Sequence, residues 1–402
     1  MKATNHVEDD LFVVRQRSAL VRLSVSMFLA MTTWFSASAV LPQLRARWDL
    51  STGTGSWLTI AVQLGFVVGA VVLAATNISD LVAPRMLVLI GATGAAVANL
   101  GLLVAPGATV AILFRGLTGA FLAAVYPPAM KAVATWFRER RGLALGVMVG
   151  ALTLGSAAPH LVNTAGGMPW EGVVLATSVA TAAGGLLAWF WAGDGPYPFP
   201  QVAFDPRRAR EAMANRGVRL ATLGYFGHMW ELYAMWAWIG VFFAERFESA
   251  RVGSLLAFVV IGVGAAGSIV AGLLGDRWGR APITILALVA SGSMALVIGF
   301  SGPAVLVVAF GVIWGFWVVA DSAQFSTAVT EHADPALVGT ALTVQLASGF
   351  VLTVATIWLV PVIEEAAGWG WAFAALAPGP VLGVLAMQRL GRLERVPIHV
   401  AS

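Results

Sequence analysis

Two titratable side chains lie three residues apart inside a long apolar stretch of the chain. His228 and Glu231 fall in the segment Gly227–Tyr233, and a spacing of i, i+3 places two side chains on one face of an α-helix. Histidine changes its charge near neutral pH, and a carboxyl group beside it can share its proton. The pair is therefore a candidate proton- or cation-coupling site. The alternative is a structural hydrogen bond that holds this helix to a neighbour.

A second acid and an arginine also fall within apolar stretches. Asp321 could bind a proton, a cation or a substrate amine, or it could form an ion pair with Lys131 or Arg115 and act as a gate. Arg115 could bind a substrate carboxylate, or it could be held by backbone and polar groups of a neighbouring helix. A charge at the centre of a bilayer costs at least ~2.5–3.5 kcal/mol on insertion scales, so we expect these side chains to face a wet cavity or a partner.

The elements that carry these residues are predicted to be membrane-spanning helices. Hydrophobic residues make up 59% of the 402 residues and charged residues 11%, whereas soluble domains carry about 25% charged residues. Uncharged stretches of about 20 residues are long enough to cross the hydrocarbon layer as helices. We predict an all-α membrane protein with twelve spans, at residues 18–42, 55–78, 85–105, 108–134, 142–164, 169–192, 217–244, 252–275, 281–301, 303–330, 337–363 and 369–388.

Basic residues predict the orientation. Of the 24 lysines and arginines, 18 fall in segments that share one side when both termini are cytoplasmic, and this bias fixes the topology of membrane proteins. We predict a cytoplasmic tail (1–17), a six-helix bundle (18–192), a cytoplasmic central loop (193–216), a second six-helix bundle (217–388) and a cytoplasmic tail (389–402), in the plasma or inner membrane.

Composition and motifs also exclude several functions. The net charge is only +4 and the basic residues lie in short connections, so nucleic-acid binding is not expected. The chain has no cysteine, so disulfides and thiolate metal sites are ruled out. No phosphate-binding loop of the Gly-x-x-x-x-Gly-Lys-Ser/Thr type is present, which argues against ATP as the direct energy source. We expect no enzymatic activity, no cofactor and no metal.

Two pairs of motifs recur at nearly one offset. Asp80 before Pro84 and Arg85 corresponds to Asp276 before Arg280, since 276 − 80 = 196. The Gly142 tetrapeptide Gly-Leu-Ala-Leu corresponds to Gly-Thr-Ala-Leu 197 residues later (339 − 142). A six-helix unit repeated in the same orientation is typical of transporters that work by alternating access, with the substrate held between the halves.

The segment Gly272–Arg280, which reads Gly-Leu-Leu-Gly-Asp-Arg-Trp-Gly-Arg, resembles the loop signature between helices 8 and 9 of the major facilitator superfamily. The resemblance covers essentially the whole chain. It implies that this loop latches the cytoplasmic side of the two halves, and that the protein functions as a monomer in the lipid bilayer. The residues that the resemblance assigns to the latch are Asp80, Arg85, Arg138, Arg141, Asp276, Arg277, Gly279 and Arg280.

In that family, helices 1, 4, 7 and 10 line the central cavity, and the intramembrane charges fall on spans 4, 7 and 10. His228, Glu231 and Asp321 are the coupling candidates. Tyr126 precedes Pro127 and Pro128, which remove two backbone donors and predict a kink in span 4. The polar and aromatic candidates for the substrate cavity are Trp34, Phe35, Arg115, Tyr126, Tyr225, Trp230, Tyr233, Trp236, Trp314, Trp317 and Gln324.

The sequence thus predicts a secondary transporter that moves a small organic solute together with protons. One alternative is an uncoupled or anion-exchange carrier, in which Arg115 and His228 would hold a small carboxylate. The other is a membrane sensor that has lost transport.

Overall fold

The computed structural model describes residues 2–164, 168–191, 193, 195–197 and 204–394. Within these ranges the side chains of residues 2–11, 52, 79 and 80 are not described. The predicted tail segment 395–402 and part of the predicted central loop, 198–203, therefore lie outside the described residues.

Helices dominate the described chain. Ten of them are long and apolar enough to cross a membrane, and α1 (Lys2–Ala30) and α7 (Arg216–Arg246) complete twelve, since 10 + 2 = 12. The ten are α2 (Gly53–Ala75), α3 (Pro84–Val104), α4 (Ala108–Ala134), α5 (Arg141–Thr164), α6 (Trp170–Trp191), α8 (Ala250–Trp278), α9 (Arg280–Phe300), α10 (Ala304–His332), α11 (Val338–Ala367) and α12 (Trp369–Glu394). They form the two six-helix bundles expected from the sequence, α1–α6 and α7–α12.

The helix α7 is less apolar than the ten spans named above, and most of its residues are buried. It carries His228, Glu231 and several tryptophans, and the great majority of its side chains are buried. A helix enclosed by other helices does not need to match the hydrocarbon of the bilayer around its whole circumference. Low hydropathy therefore accompanies the central position of α7 in the bundle.

The first span is broken, which differs from the continuous helix predicted over 18–42. The helix α1 already starts at Lys2 and ends at Ala30, so most of the predicted tail is helical. The chain then makes a 3-10 turn (Met31–Thr33), a short helix (Ser36–Ala39) and a further helix (Leu41–Trp48). This break leaves backbone carbonyls without partners in the helix, and these groups need other donors.

Two further helices are broken at equivalent places in the two bundles. The predicted kink in α4 is present as a gap between Ala108–Leu122 and Tyr126–Ala134. In α10 the gap lies between Ala304–Val318 and Ser322–His332, and the chain has no proline there. The gaps begin at residues 123 and 319, so they are separated by the same 196 residues as the sequence motifs (319 − 123).

The repeat is also visible in how glycines pack. A methyl group on Gly119 of α4 would overlap the carbonyl of Val62 on α2. The corresponding glycine of α10, Gly315 (315 − 119 = 196), would overlap the carbonyl of Val260 on α8 in the same way. The close approach of α2 to α4 is thus reproduced by α8 and α10, because only glycine allows the two backbones to lie so near each other.

The two bundles contact each other along α5 and α8. A Cβ atom on Gly150 would lie 3.1 Å from the carbonyl of Ala265 near the middle of the crossing. At one end of the helices, Asn163 donates a hydrogen bond of 2.8 Å to Ser254. We call the other end, which carries residues 135–142 and 276–280, the basic end. Both ends of this helix pair are closed in the structure.

Candidate functional site

A small cavity lies between the two bundles, beside the breaks in α4 and α10. Its volume is about 40 Å³. A buried water needs about 10–15 Å³, so the cavity has room for about three water molecules. An organic solute does not fit in this conformation, and the helices must move apart to admit one. The cavity is lined by Tyr126, Val149, Leu152, Tyr225, His228, Met229, Leu232, Tyr233, Trp236, Val319, Ser322, Ser326, Leu346 and Phe350.

His228 connects α7 to the break in α10. Its Nδ1 atom lies 2.9 Å from Oδ1 of Asp321, and both side chains are almost fully buried. Its Nε2 atom lies 2.8 Å from the hydroxyl of Ser322. The Asp321 Oδ1 atom makes no hydrogen bond of standard geometry, so the contact with Nδ1 is close in distance but poorly aligned. A small rotation of the ring would align it or break it.

Glu231 has other partners, which corrects the predicted pair of His228 and Glu231. The Oε1 atom of Glu231 accepts a hydrogen bond of 2.7 Å from the indole of Trp314, and Oε2 accepts one of 2.8 Å from Ser291. The i, i+3 spacing does not produce a hydrogen bond between these two side chains, because α9 and α10 pack beside Glu231 and supply its donors. The acid that contacts His228 is Asp321.

Arg115 is bound by structural groups in this conformation, which is the second of the two roles that the sequence left open, and it does not line the cavity. Its guanidinium is fully buried and donates to the carbonyls of Thr33, Trp34 and Leu58. It also donates to Asn99 Oδ1 at 2.9 Å. Thr33 and Trp34 lie in the break after α1, so Arg115 satisfies carbonyls that the break leaves without helical donors. This arrangement removes Arg115 as a partner of Asp321 or of a substrate carboxylate.

The four aromatic candidates that line the cavity are Tyr126, Tyr225, Tyr233 and Trp236. Trp34 and Phe35 lie behind this lining. Their rings stack on the ring of Tyr233 at centroid distances of 6.0 Å and 6.2 Å.

The other cavity candidates do not line the cavity in this conformation. Trp230 donates to the carbonyl of Ala375 on α12 at 3.1 Å. Trp314 binds Glu231, as described above, and Trp317 packs against a small cluster that includes Ala320. Gln324 lies at the basic end, where it accepts a hydrogen bond of 3.2 Å from Arg280.

The sequence prediction missed lining residues on α5 and α11, because it considered only spans 1, 4, 7 and 10. Phe350 on α11 is the aromatic residue missed, and it contacts Tyr233 at 5.1 Å between ring centroids. Ser322 and Ser291 were also missed as partners of the buried His228 and Glu231. The signal that could have found them is a hydroxyl residue within an apolar span.

At the basic end, Asp276 joins the two bundles. Its Oδ2 atom accepts a hydrogen bond of 3.2 Å from the backbone N–H of Leu143, at the start of α5. Its Oδ1 atom lies 3.0 Å from Nη1 of Arg280, which also reaches Glu331 at 3.4 Å. A carboxylate at a helix N-terminus is stabilised by the free N–H groups there. Gly279 has a φ angle of +88°, which glycine adopts without strain.

The remaining latch candidates have different positions. Arg138 lies over the ring of Tyr197 at 4.9 Å, and Arg85 lies over the ring of Trp189 at 5.3 Å. Arg277 is exposed, and Arg141 is the first residue of α5. The side chain of Asp80 is outside the described residues. Asp276 makes the hydrogen bond between the two bundles, and Arg280 binds its other carboxylate oxygen.

Two bundles of six helices related by a repeat, with a cavity between them, define the class of secondary transporters. The chain belongs to the Major Facilitator Superfamily, because the sequence model of this family matches residues 23–248, more than half of its 402 residues.

Individual proteins resemble the chain more weakly. The MFS-type transporter pytF of Aspergillus terreus is 25% identical over 170 residues, which span 41% of this chain and 56% of that protein. Among solved structures, the proton:xylose symporter XylE bound to 6-bromo-6-deoxy-D-glucose has a TM-score of 0.72 at 12% identity, with coverage of 94% and 96% of the two chains. The human organic anion transporter MFSD10 has a TM-score of 0.67 at 13% identity, with coverage of 93% and 99%.

Proposed function

We propose that the protein is a proton-coupled secondary transporter of a small organic solute, and that His228 and Asp321 carry the proton. The observation that supports this most is their contact of 2.9 Å at the wall of the cavity between the bundles. The site lies where access to water must change when the halves move.

The buried position of the pair suits a proton carrier. A histidine and a carboxylate in contact can share one proton, and a pair of opposite charges is less costly in an apolar environment than an isolated charge. When the cavity opens to one side, water reaches Ser322 and His228, and the proton can exchange with that side. When the cavity opens to the other side, the same pair exchanges with the other solution. The coupling then follows from the change in access.

The change in access requires the contacts at the basic end to break. Asp276 on α8 and the Leu143 N–H on α5 belong to different bundles, so their hydrogen bond is present only while this end is closed. We propose that the basic end is cytoplasmic and that this contact stabilises the conformation closed to the cytoplasm.

A flux experiment tests the proposal. Purified protein is reconstituted in vesicles that contain the pH dye pyranine, and phenyl β-D-glucoside, xylose and ethidium are added separately, with protein-free vesicles as the reference. We expect one of these compounds to drive proton movement, and we expect Asp321→Asn to abolish the proton movement while exchange of the compound across the membrane continues. Asn has nearly the shape of Asp but cannot ionise, so it separates coupling from folding.

Glu171→Gln is the matched control, because Glu171 is an exposed acid in the first turn of α6. Transport of a compound without any proton movement in the unmodified protein would favour the uncoupled carrier. Proton movement of normal size in Asp321→Asn would show that another group carries the proton.

A further inference from the structure

The acids and the arginine beside the cavity lie off its lining. Asp321 lies 2.9 Å from His228 but makes no hydrogen bond of standard geometry through Oδ1, Glu231 accepts two hydrogen bonds, and Arg115 is bound within the first bundle. Among the residues that line the cavity, His228 is the one side chain that can carry a charge near neutral pH. A charged solute would therefore meet no unpaired counter-ion on the lining.

Four neutral polar groups of the lining have no hydrogen-bond partner among the described residues. Trp236 is 1% exposed, and its indole N–H has no hydrogen-bond partner. The lining tyrosines, Tyr126, Tyr225 and Tyr233, make no hydrogen bond through their hydroxyl groups to any residue that the structure describes. A buried donor without a partner costs about 1–3 kcal/mol, which applies to the Trp236 indole N–H. The tyrosine side chains line the cavity, so their hydroxyl groups are also available to a solute that offers oxygen atoms.

Most tyrosines of the chain lie on the cavity wall. The chain has four tyrosines, and those three lie on the cavity wall. The fourth, Tyr197, lies beneath Arg138 at the basic end. Phenol side chains combine an apolar ring with a hydroxyl group, and they bind molecules that have both an apolar face and polar substituents.

The aromatic wall has an ordered geometry. The ring of Tyr233 contacts Trp236 edge to face at 5.7 Å and Phe350 at 5.1 Å. Trp34 stacks behind Tyr233, and its indole N–H is also buried without a partner. A flat apolar ring would pack against this wall, while its polar substituents would reach the tyrosine hydroxyls and the Trp236 N–H.

We propose that the solute is an uncharged molecule with an apolar ring face and several hydroxyl or carbonyl oxygens. The observation is a lining that carries neutral donors without protein partners, whereas the buried acids and Arg115 lie off that lining. An ionic solute would lose its hydration on entry, which costs several kcal/mol per ion unless a counter-ion replaces the water. This inference rests on the proposed function for the location of the site, but it concerns binding and can be tested without transport.

The test compares solutes of one shape and three charges. Phenyl β-D-glucoside is neutral, phenyl β-D-glucosaminide is cationic at pH 6, and phenyl β-D-glucuronide is anionic. Binding to the purified full-length protein is measured by the quenching of tryptophan fluorescence and by the shift of the melting temperature. We expect the neutral compound to bind at least about tenfold more tightly than either ion, which corresponds to 1.4 kcal/mol. Tighter binding of an ion, or no binding of the neutral compound, overturns the proposal.

Two variants test the assigned donors. Tyr233→Phe and Trp236→Phe each keep an aromatic ring and remove a donor, and we expect each to weaken binding of phenyl β-D-glucoside by about two- to tenfold. Tyr197→Phe is the matched control, because it removes the tyrosine hydroxyl that lies away from the cavity, and its binding should equal that of the unmodified protein. Unchanged binding in both cavity variants overturns the assignment. A variant that does not fold is recognised by its melting profile, and the other variant then decides.

The outcomes for binding and for transport are separable. If the neutral compound binds selectively but its addition moves no protons in the pyranine assay, the solute class stands and proton coupling fails. If an organic cation or anion is transported with protons, coupling stands and the solute class fails.

Discussion

At the residue scale, the buried ionisable side chains of α7 are held by other helices: His228 contacts Asp321 of α10, and Glu231 accepts hydrogen bonds from Ser291 of α9 and Trp314 of α10. His228, Glu231 and Asp321 were recognisable because each is ionisable within an apolar stretch. Their partners depend on how α9 and α10 pack against α7, and one sequence does not contain that information. The spacing of three residues predicted a contact between His228 and Glu231, whereas donors from other helices bind the Glu231 carboxylate.

The partners of Arg115 also could not be predicted from the sequence alone. The sequence left open whether it binds a solute or structural groups. The break after α1 decides this, because the freed carbonyls of Thr33 and Trp34 lie within reach of its guanidinium. Residues 31–40, where the helix is broken, contain no proline and no charged residue that would predict the break.

The first prediction concerns the buried acid Glu231. Trp314→Phe removes the indole N–H that donates to Oε1 at 2.7 Å, and it leaves a buried carboxylate oxygen without that donor. We expect the free energy of unfolding to fall by about 1–3 kcal/mol beyond the loss from the smaller ring. Thermal unfolding of the purified protein measures this as a lower melting temperature.

Trp317→Phe is its control. Trp317 lies one turn away on the same helix, and its replacement by Phe reduces the ring by the same amount. Its indole donates no hydrogen bond to a described residue. If the two variants melt at the same temperature, the hydrogen bond to Glu231 does not contribute to stability.

At the element scale, most helices followed the predicted spans within a few residues, because long charge-free stretches end at charged or proline-containing connections. The break in α4 was predicted from Pro127 and Pro128, which cannot donate hydrogen bonds. The equivalent break in α10 has no proline, and its turn is held by hydrogen bonds from Ala320 to Trp317 and from Ser322 to Val319. Only the repeat of 196 residues could have indicated it beforehand.

The second prediction concerns the crossing of α5 and α8. A Cβ atom on Gly272 would lie 2.5 Å from the Gly142 carbonyl and 3.3 Å from Cα of Leu143. Gly272→Ala therefore pushes the two helices apart at the basic end. Overpacking costs about 1–3 kcal/mol, so we expect the population open at this end to rise about 5- to 150-fold relative to the closed one.

Accessibility of a single cysteine measures this opening, since the natural chain has no cysteine. Ser326→Cys places a thiol on the cavity lining, and we expect Gly272→Ala to speed its reaction with a maleimide added at the basic end. Gly262→Ala on the same helix is the control, because its Cβ would meet Leu154 at an ordinary 3.5 Å. Equal labelling rates in both variants would contradict the assigned role of this crossing.

At the scale of the whole molecule, the two-bundle architecture was predictable and the conformation was not. Two motif pairs at offsets of 196 and 197 residues indicated the repeat. The structure adds that α5 and α8 are in contact at both ends, with the cavity reduced to about 40 Å³. Whether such a molecule is open or closed depends on small free-energy differences between arrangements of the same helices, which sequence patterns do not reveal.

The third prediction concerns movement of the bundles against each other. Asn163 on α5 and Ser254 on α8 are hydrogen-bonded at 2.8 Å across the bundles, at the end opposite the basic end. A disulfide between Asn163→Cys and Ser254→Cys should hold this end closed. We expect oxidation to reduce solute uptake to the rate of protein-free vesicles and reduction to restore it.

A disulfide within one bundle provides the comparison. Ser38 and Thr59 are hydrogen-bonded at 2.7 Å, and both belong to the first bundle. Oxidation of Ser38→Cys with Thr59→Cys should leave uptake unchanged if the bundles move as rigid bodies. Uptake that persists in the oxidised Asn163/Ser254 variant would show that this end does not need to open.

The breaks in α4 and α10 are equivalent in position but not in chemistry. The counterpart of Asp321 in the first bundle is Val125 (321 − 196 = 125), which cannot bind a proton. One bundle therefore holds the proposed proton site and the other does not, so the pair of His228 and Asp321 would carry one proton in each cycle. With an uncharged solute, that proton makes the cycle electrogenic. The voltage across the membrane would then contribute about 2.3 kcal/mol per 100 mV to accumulation of the solute, even in the absence of a pH gradient.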